Sequence, residues 1–193
     1  MRKIILASSS PRRAELMRHA GYDFEVIPPD EWAECGICSR ETPPEMVARL
    51  AMQKAENIVA KISGGLVVAC DTIAEVVGRV LGKPVDRGHA EQMLRTLSGR
   101  EHRVYSGLVL WEVESGRRTV DVDVSVLRMD RLSDGQLLEY LDSGQWEGKA
   151  GGFGYQDKLG WVRLIQGSES NVVGLPMELL GRRLAEWADA GEG

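Results

Sequence analysis

The segment Ile4-Ile-Leu-Ala-Ser-Ser-Ser-Pro-Arg-Arg13 contains the transition around which the predicted fold is organised. Its four apolar residues predict a short buried strand, and Pro11 stands where a helix would begin. The free amides and the dipole of a helix N-terminus favour a bound anion, and Arg12 and Arg13 add full positive charges. The segment therefore predicts a phosphate site, although ordinary helix capping beside solvated arginines would use the same residues.

The rest of the chain alternates strand patterns with helix patterns, which is typical of an α/β protein. Thr42-Pro-Pro-Glu45 forms a capping box, and the apolar residues behind it repeat every three or four positions. We expect a buried strand over 66–70 that breaks at Asp71-Thr72, and a hairpin around Ser115-Gly116. These patterns predict one α/β domain over residues 1–193, with two lobes around a central cleft.

Composition excludes several classes of function. The chain has 193 residues and a net charge of −5, which argues against binding a nucleic acid polymer. No apolar stretch approaches the roughly 20 residues of a membrane helix, so we expect no membrane contact and a cytoplasmic protein. Cys35 and Cys38 have the spacing of half a zinc or redox site. No second cysteine pair completes it, so we expect reduced thiols.

Several charged residues stand beside glycine, proline or a strand end. Asp71 follows the apolar run Val67-Val-Ala-Cys70, where α/β proteins place their sites, although an aspartate that only caps a turn is the alternative. Lys83 lies between glycine and proline, Lys149 among small residues, and Lys54 beside the apolar stripe of a helix. Each lysine alone is more typical of a solvated surface. Together with Arg12 and Arg13, they match the charge of a triphosphate.

Seven motifs in order along nearly the whole chain resemble the Maf-like nucleoside triphosphate pyrophosphatases. They are Ala7-Ser-Ser-Ser-Pro-Arg-Arg13, Arg49-Leu-Ala-Met-Gln-Lys-Ala55, Asp71-Thr-Ile73, Gly82-Lys-Pro84, Leu97-Ser-Gly-Arg-Glu-His102, Lys149-Ala-Gly-Gly-Phe-Gly-Tyr-Gln156 and Asn171-Val-Val-Gly-Leu-Pro176. The resemblance implies a mixed twisted sheet with flanking helices, similar to the inosine triphosphate pyrophosphatase fold. It also implies hydrolysis of a nucleoside triphosphate to the monophosphate and pyrophosphate, with a divalent metal, usually Mg²⁺.

The resemblance also implies roles for particular residues. Asp71 corresponds to the general base of the family, although it could instead orient a metal-activated water. Four further residues would bind the phosphates: Ser8, Arg13, Lys54 and Lys83. The metal would be held by Asp71 and by Glu34 or Glu31, because a small insertion displaces the usual glutamate pair and leaves that assignment open. A homodimer is a further expectation from the family.

Three positions separate the branches of the family by substrate. Arg12, Thr72 and Gln156 match the branch that hydrolyses dTTP and UTP, whereas the 7-methyl-GTP branch typically has Trp, Gln and Glu there. Tyr155 departs from the usual aliphatic residue before the glutamine. Two alternatives remain open: the same reaction on a purine or modified nucleotide, and a non-enzymatic nucleotide-binding regulator of septum formation.

Overall fold

A seven-stranded mixed sheet forms the centre of the protein in a computed structural model. The structure describes residues 3–33, 41–157 and 159–189. The strand order is β2-β1-β3-β5-β6-β7, and β4 pairs with the far half of β3. β1 is parallel to β2 and β3, and the other pairs are antiparallel. The strands are Ile4–Ala7 (β1), Phe24–Val26 (β2), Leu66–Val76 (β3), Arg79–Leu81 (β4), Glu101–Glu112 (β5), Arg118–Met129 (β6) and Val162–Gln166 (β7).

Helices flank this sheet, which confirms the predicted fold class. They are Pro11–His19 (α1), Pro43–Val59 (α2), Arg87–Leu97 (α3), Asp134–Asp142 (α4), Glu169–Val173 (α5) and Met177–Asp189 (α6). Three short 3-10 helices span Glu31–Ala33, Ala150–Gly152 and Tyr155–Asp157. The capping box at the start of α2 is present, with the Glu45 carboxylate accepting from the Thr42 amide at 2.8 Å. Within the described residues, none of the helices is long and apolar enough to cross a membrane.

The predicted strand break at Asp71-Thr72 is wrong, because β3 runs without interruption through both residues. β1 pairs with β3 only as far as Ala69, but β5 pairs with β3 from Leu66 to Glu75. The backbone groups of Asp71 therefore have a partner strand, opposite Gly107. Asp71 lies just past the point where β1 leaves the sheet, and this departure opens one side of β3.

Hydrophobic clusters on both halves of the sheet leave a cleft between them. Near β1, one cluster packs beneath α1 and α6 around Leu6 and Trp187, and another beneath α2 around Ile58. The α3–α4 core, which includes Leu97, Leu141 and Trp161, covers the far halves of β3, β5 and β6.

Helix α2 crosses β5 at a very close distance. A Cβ atom on Gly107 would lie 2.2 Å from the carbonyl oxygen of Val47, so only glycine allows this approach. The close packing fixes α2, and with it Lys54, over the strand pair that carries Asp71.

Candidate active site

The sequence-predicted site residues converge on one cleft of about 550 Å³. The turn after β1, the middle of β3, the loop around residues 148–156 and the end of α5 form its walls. Eight of the predicted residues line it: Ser8, Arg12, Arg13, Lys54, Asp71, Thr72, Lys83 and Gln156. Lys149 lines the same cleft, so all five of the cations singled out in the sequence lie around one space.

Arg13 is a buried cation that three parts of the chain hold in place. Its Nε donates to the carbonyl oxygen of Gly174 at 2.7 Å, and Nη1 donates to Ser8 Oγ at 3.2 Å. Nη2 donates to Thr72 Oγ1, also at 3.2 Å. The amide of Ser10 donates to Ser8 Oγ at 3.1 Å, which closes the serine turn before α1. A fixed guanidinium thus stands beside a helix N-terminus, where an anion is favoured.

Thr72 and the carbonyl of Gly174 connect this turn to the sheet. The Thr72 hydroxyl lies 2.8 Å from Ser106 Oγ and 3.2 Å from the Gly174 oxygen. The Cys70 thiol donates to that same oxygen at 3.3 Å. Burial raises the pKa of the Cys70 thiol, so this cysteine acts as a small buried donor. The Thr72 hydroxyl therefore helps to hold Arg13 in its position.

Asp71 and Lys54 form a buried ion pair at the floor of the cleft. Lys54 Nζ lies 2.5 Å from Asp71 Oδ1, and the side chains are 9% and 11% exposed. Asp71 Oδ2 makes no hydrogen bond to the part of the chain that the structure describes. One carboxylate oxygen is thus held by the lysine, and the other is available to a ligand or to water.

The other wall carries Arg12, Lys149 and Gln156. Arg12 donates to the carbonyl oxygen of Gly148 at 3.2 Å, and burial, followed by the nearby charge of Arg13, lowers its pKa. Lys149 forms an ion pair with Asp157, so its charge is neutralised within the protein. Gln156 and Lys83 are both exposed on the rim, and no described residue forms an ion pair with Lys83.

The proposed metal ligands come together only in part. Asp71 lines the cleft, whereas Glu31 is exposed on a 3-10 helix and does not line it. Glu34 lies outside the described residues, as do Cys35 and Cys38, so the glutamate partner of Asp71 stays a prediction. Among residues 3–33, 41–157 and 159–189, no group of three or more metal-binding side chains could hold an ion. A metal here would depend on Asp71 together with oxygens of a bound ligand and water.

Several residues that build the site gave no signal in the sequence. Ser106 takes part only through contacts with residues far away in the chain, so no local pattern indicates it. Gly174 stands in the quoted motif 171–176, but that motif does not indicate that its carbonyl oxygen holds Arg13. Asp157 lies beside the recognised glutamine but carries no motif of its own. Tyr155, the departure from the family pattern, donates its hydroxyl to Glu169 at 3.2 Å and so ties the rim to α5.

The chain is similar to several known proteins in sequence and in fold. The sequence matches the family described as "Maf-like protein" over residues 3–187. A dTTP/UTP pyrophosphatase from Rhodopirellula baltica is 56% identical over 190 residues, which cover 98% of this chain and 84% of that protein. A protein of the same name from Carboxydothermus hydrogenoformans is 45% identical over 186 residues, with coverages of 96% and 98%. A solved HAM1 protein from Coxiella burnetii shares the fold, with 19% identity, a TM-score of 0.51 and coverages of 96% and 100%.

Proposed function

The chain belongs to the Maf-like family, and on that premise we propose that it hydrolyses dTTP and UTP to the nucleoside monophosphate and pyrophosphate. The observation that carries the proposal is the convergence on one cleft of Asp71 and four cations, Arg12, Arg13, Lys54 and Lys83. A triphosphate needs several fixed positive groups, and a hydrolase needs a carboxylate near the bond that breaks. The cleft volume of about 550 Å³ falls within the range of small-molecule sites.

The phosphates would bind along the serine turn. Arg13 is already fixed by Ser8, Thr72 and the Gly174 carbonyl, so no side-chain ordering is needed when the substrate arrives. The exposed ammonium of Lys83 would close over the phosphates from the opposite rim. Lys54 would contribute charge from the floor while it holds Asp71.

The reaction would be an attack of water on the α-phosphorus, with pyrophosphate leaving. Asp71 Oδ2 would accept a hydrogen bond from that water, either as its general base or by orienting it. A divalent cation, which we propose to be Mg²⁺, fits a site with one protein carboxylate, because Mg²⁺ keeps several waters and binds phosphate oxygens. When bound, it would neutralise phosphate charge and increase the acidity of a water.

The nucleobase would be read at the Gln156 side of the cleft. A glutamine amide offers both donors and an acceptor, which match the donor and acceptor edge of uracil or thymine. A base that presents a different donor and acceptor pattern in this pocket would leave polar groups unpaired. The 5-methyl group that distinguishes the two pyrimidines changes binding by only about 1–3 kcal/mol, so the protein should accept both dTTP and UTP.

A panel of nucleoside triphosphates, assayed for pyrophosphate release with and without Mg²⁺, tests this function. We expect turnover of dTTP and UTP and little turnover of purine nucleotides or 7-methyl-GTP. Preferred hydrolysis of 7-methyl-GTP would support the other branch of the family. Nucleotide binding with no turnover of any substrate would support the non-enzymatic regulator.

Replacement of the carboxylate tests the chemistry within that function. We expect Asp71→Asn to abolish turnover while nucleotide binding persists, because the variant keeps the shape of the side chain but loses its charge. Asp123→Asn, on β6 and outside the lining of the cleft, is the matched control and should keep activity. Activity of Asp71→Asn within threefold of the unchanged protein would refute the role of Asp71.

Three broader expectations belong to the same proposal. Because one sheet joins the first strand to the last, we propose that residues 1–193 work as one domain. Nucleoside triphosphates are cytoplasmic metabolites, so we propose that the enzyme acts there. A homodimer stays a prediction, which sedimentation of the purified protein would test.

A further inference from the structure

The loop that carries Gln156 is held by an ion pair to which the proposed chemistry assigns no role. Lys149 Nζ contacts Asp157 Oδ2, and the two side chains are only 13% and 14% exposed. Tyr140, a buried residue of the α3–α4 core, donates its hydroxyl to the same carboxylate oxygen at 3.3 Å. Asp157 therefore joins the wall of the cleft to the hydrophobic core beneath it.

The chain is shaped to make room for this pair. A Cβ atom on Gly154 would lie 2.5 Å from Asp157 Oδ2 and 2.6 Å from Lys149 Nζ. Any larger residue there would displace the charged groups. The amide of Asp157 donates to the Gly154 carbonyl at 3.1 Å, so the turn over residues 154–157 is closed by its own backbone. Gln156 lies inside this turn, and its direction depends on how the turn is held.

The same carboxylate also affects the charges that face the cleft. Lys149 and Arg12 both line it, and Arg12 is linked to the loop through the Gly148 carbonyl. Burial and the charge of Arg13 lower the pKa of Arg12, and Asp157 opposes this effect. Asp157 thus neutralises one cation and favours the charged form of a second, both at the wall beside Gln156.

We propose that Asp157 and Lys149 are positioning residues that determine nucleotide specificity by fixing the turn that carries Gln156. This inference rests on the proposed pyrophosphatase function. Because the pair acts through Gln156, its loss should affect discrimination between bases more than the chemical step. A cation that bound phosphate directly would instead affect all nucleotides equally, since every substrate carries the same triphosphate.

The test compares kcat and KM for UTP and GTP in the unchanged protein and in three variants. Asp157→Asn keeps an acceptor for the Tyr140 hydroxyl but loses the charge, and Lys149→Met removes the ammonium. We expect each to lower the UTP to GTP ratio of kcat/KM by about tenfold or more, mainly through KM for UTP. The double variant leaves neither charge unpaired and should recover part of that ratio.

Two further variants separate this role from general destabilisation. Tyr140→Phe removes only the hydroxyl that anchors Asp157, and should lower the ratio in the same direction by a smaller factor. It also serves as the test if the charge variants do not fold. Asp142→Asn removes an ion pair of exposed side chains with Arg87 at 2.7 Å, and as the matched control should leave the ratio unchanged.

Three results would overturn the inference. The first is a UTP to GTP ratio within twofold of the unchanged protein in folded Asp157→Asn. The second is an equal loss for both nucleotides in Lys149→Met, which would assign this lysine to phosphate binding. The third is that the unchanged protein releases pyrophosphate from no nucleotide, which would refute the proposed function and this inference together. Unaltered discrimination in active variants would refute the inference alone.

Discussion

His102 should make the stability of the protein depend on pH. The imidazole is 2% exposed, packs edge-on against Phe153 at 5.2 Å, and neither ring nitrogen has a hydrogen-bond partner of normal geometry among the described residues. Burial lowers the pKa of His102 to about 4, although the backbone of Arg100 partly opposes this. In the unfolded chain the same group titrates near 6.5.

The sign follows from proton uptake. Between the two pKa values the unfolded chain binds a proton that the folded protein does not, so stability falls as the pH falls from about 6.5 towards 4. A shift of this size corresponds to a loss of about 2 kcal/mol between about pH 7.5 and about pH 5. The stability that is lost in acid is fully present above pH 6.5, which is about the pKa of histidine in the unfolded chain.

Urea unfolding at those two pH values measures the effect. His102→Leu should reduce the difference in unfolding free energy between the two pH values by about 2 kcal/mol, because leucine cannot be protonated. Replacing His19, which is exposed at the end of α1, by glutamine is the matched control and should leave the difference unchanged. An undiminished difference in the His102→Leu variant would show that acid does not act through this imidazole.

Three other substitutions test how the site is held. Gly107→Ala should lower the free energy of unfolding by about 3 kcal/mol, because the new Cβ would lie 2.2 Å from a carbonyl oxygen of α2. Gly82→Ala is the control and should have little effect, because no atom lies within 4 Å of its Cβ position. Thr72→Val removes the hydroxyl that orients Arg13, so we expect a higher KM for UTP and a loss of about 1–3 kcal/mol in the free energy of unfolding. An unchanged KM would show that Arg13 keeps its position without this hydroxyl. Ser133→Ala removes the oxygen that accepts the first-turn amide of α4 at 3.3 Å, and calorimetry should show a midpoint lower by about 2–4 °C, from a loss of about 1 kcal/mol.

Local chemistry made most elements of the fold predictable. The capping box at Thr42 marks a helix start that the structure confirms, because a cap depends only on residues three positions apart. The break at Asp71 could not be judged in this way. Aspartate is a poor strand residue, but pairing with β5 maintains the strand, and that partner lies more than thirty positions further along the chain.

The cleft shows the same division between local and distant information. The motifs with Ser8, Lys54 and Asp71 could be read from the sequence, and they line one space. The position of Arg13 depends on the Gly174 carbonyl, a backbone atom that every residue type has, so no side-chain pattern could indicate it. Likewise, the contact between Asp157 and the Tyr140 hydroxyl depends on how the loop packs against α4, which no local pattern indicates.

The hydrogen bond from Arg13 to the Gly174 carbonyl joins residues 161 positions apart. During translation, the serine turn at residues 8–10 leaves the ribosome long before Gly174, whose carbonyl oxygen binds Arg13, has been synthesised. If Arg13 binds phosphate as we propose, a nascent chain would lack the complete site until residue 174 has been synthesised. A fragment released early would carry the first motif and lack the site, so prematurely terminated products should not consume nucleotides in the cell.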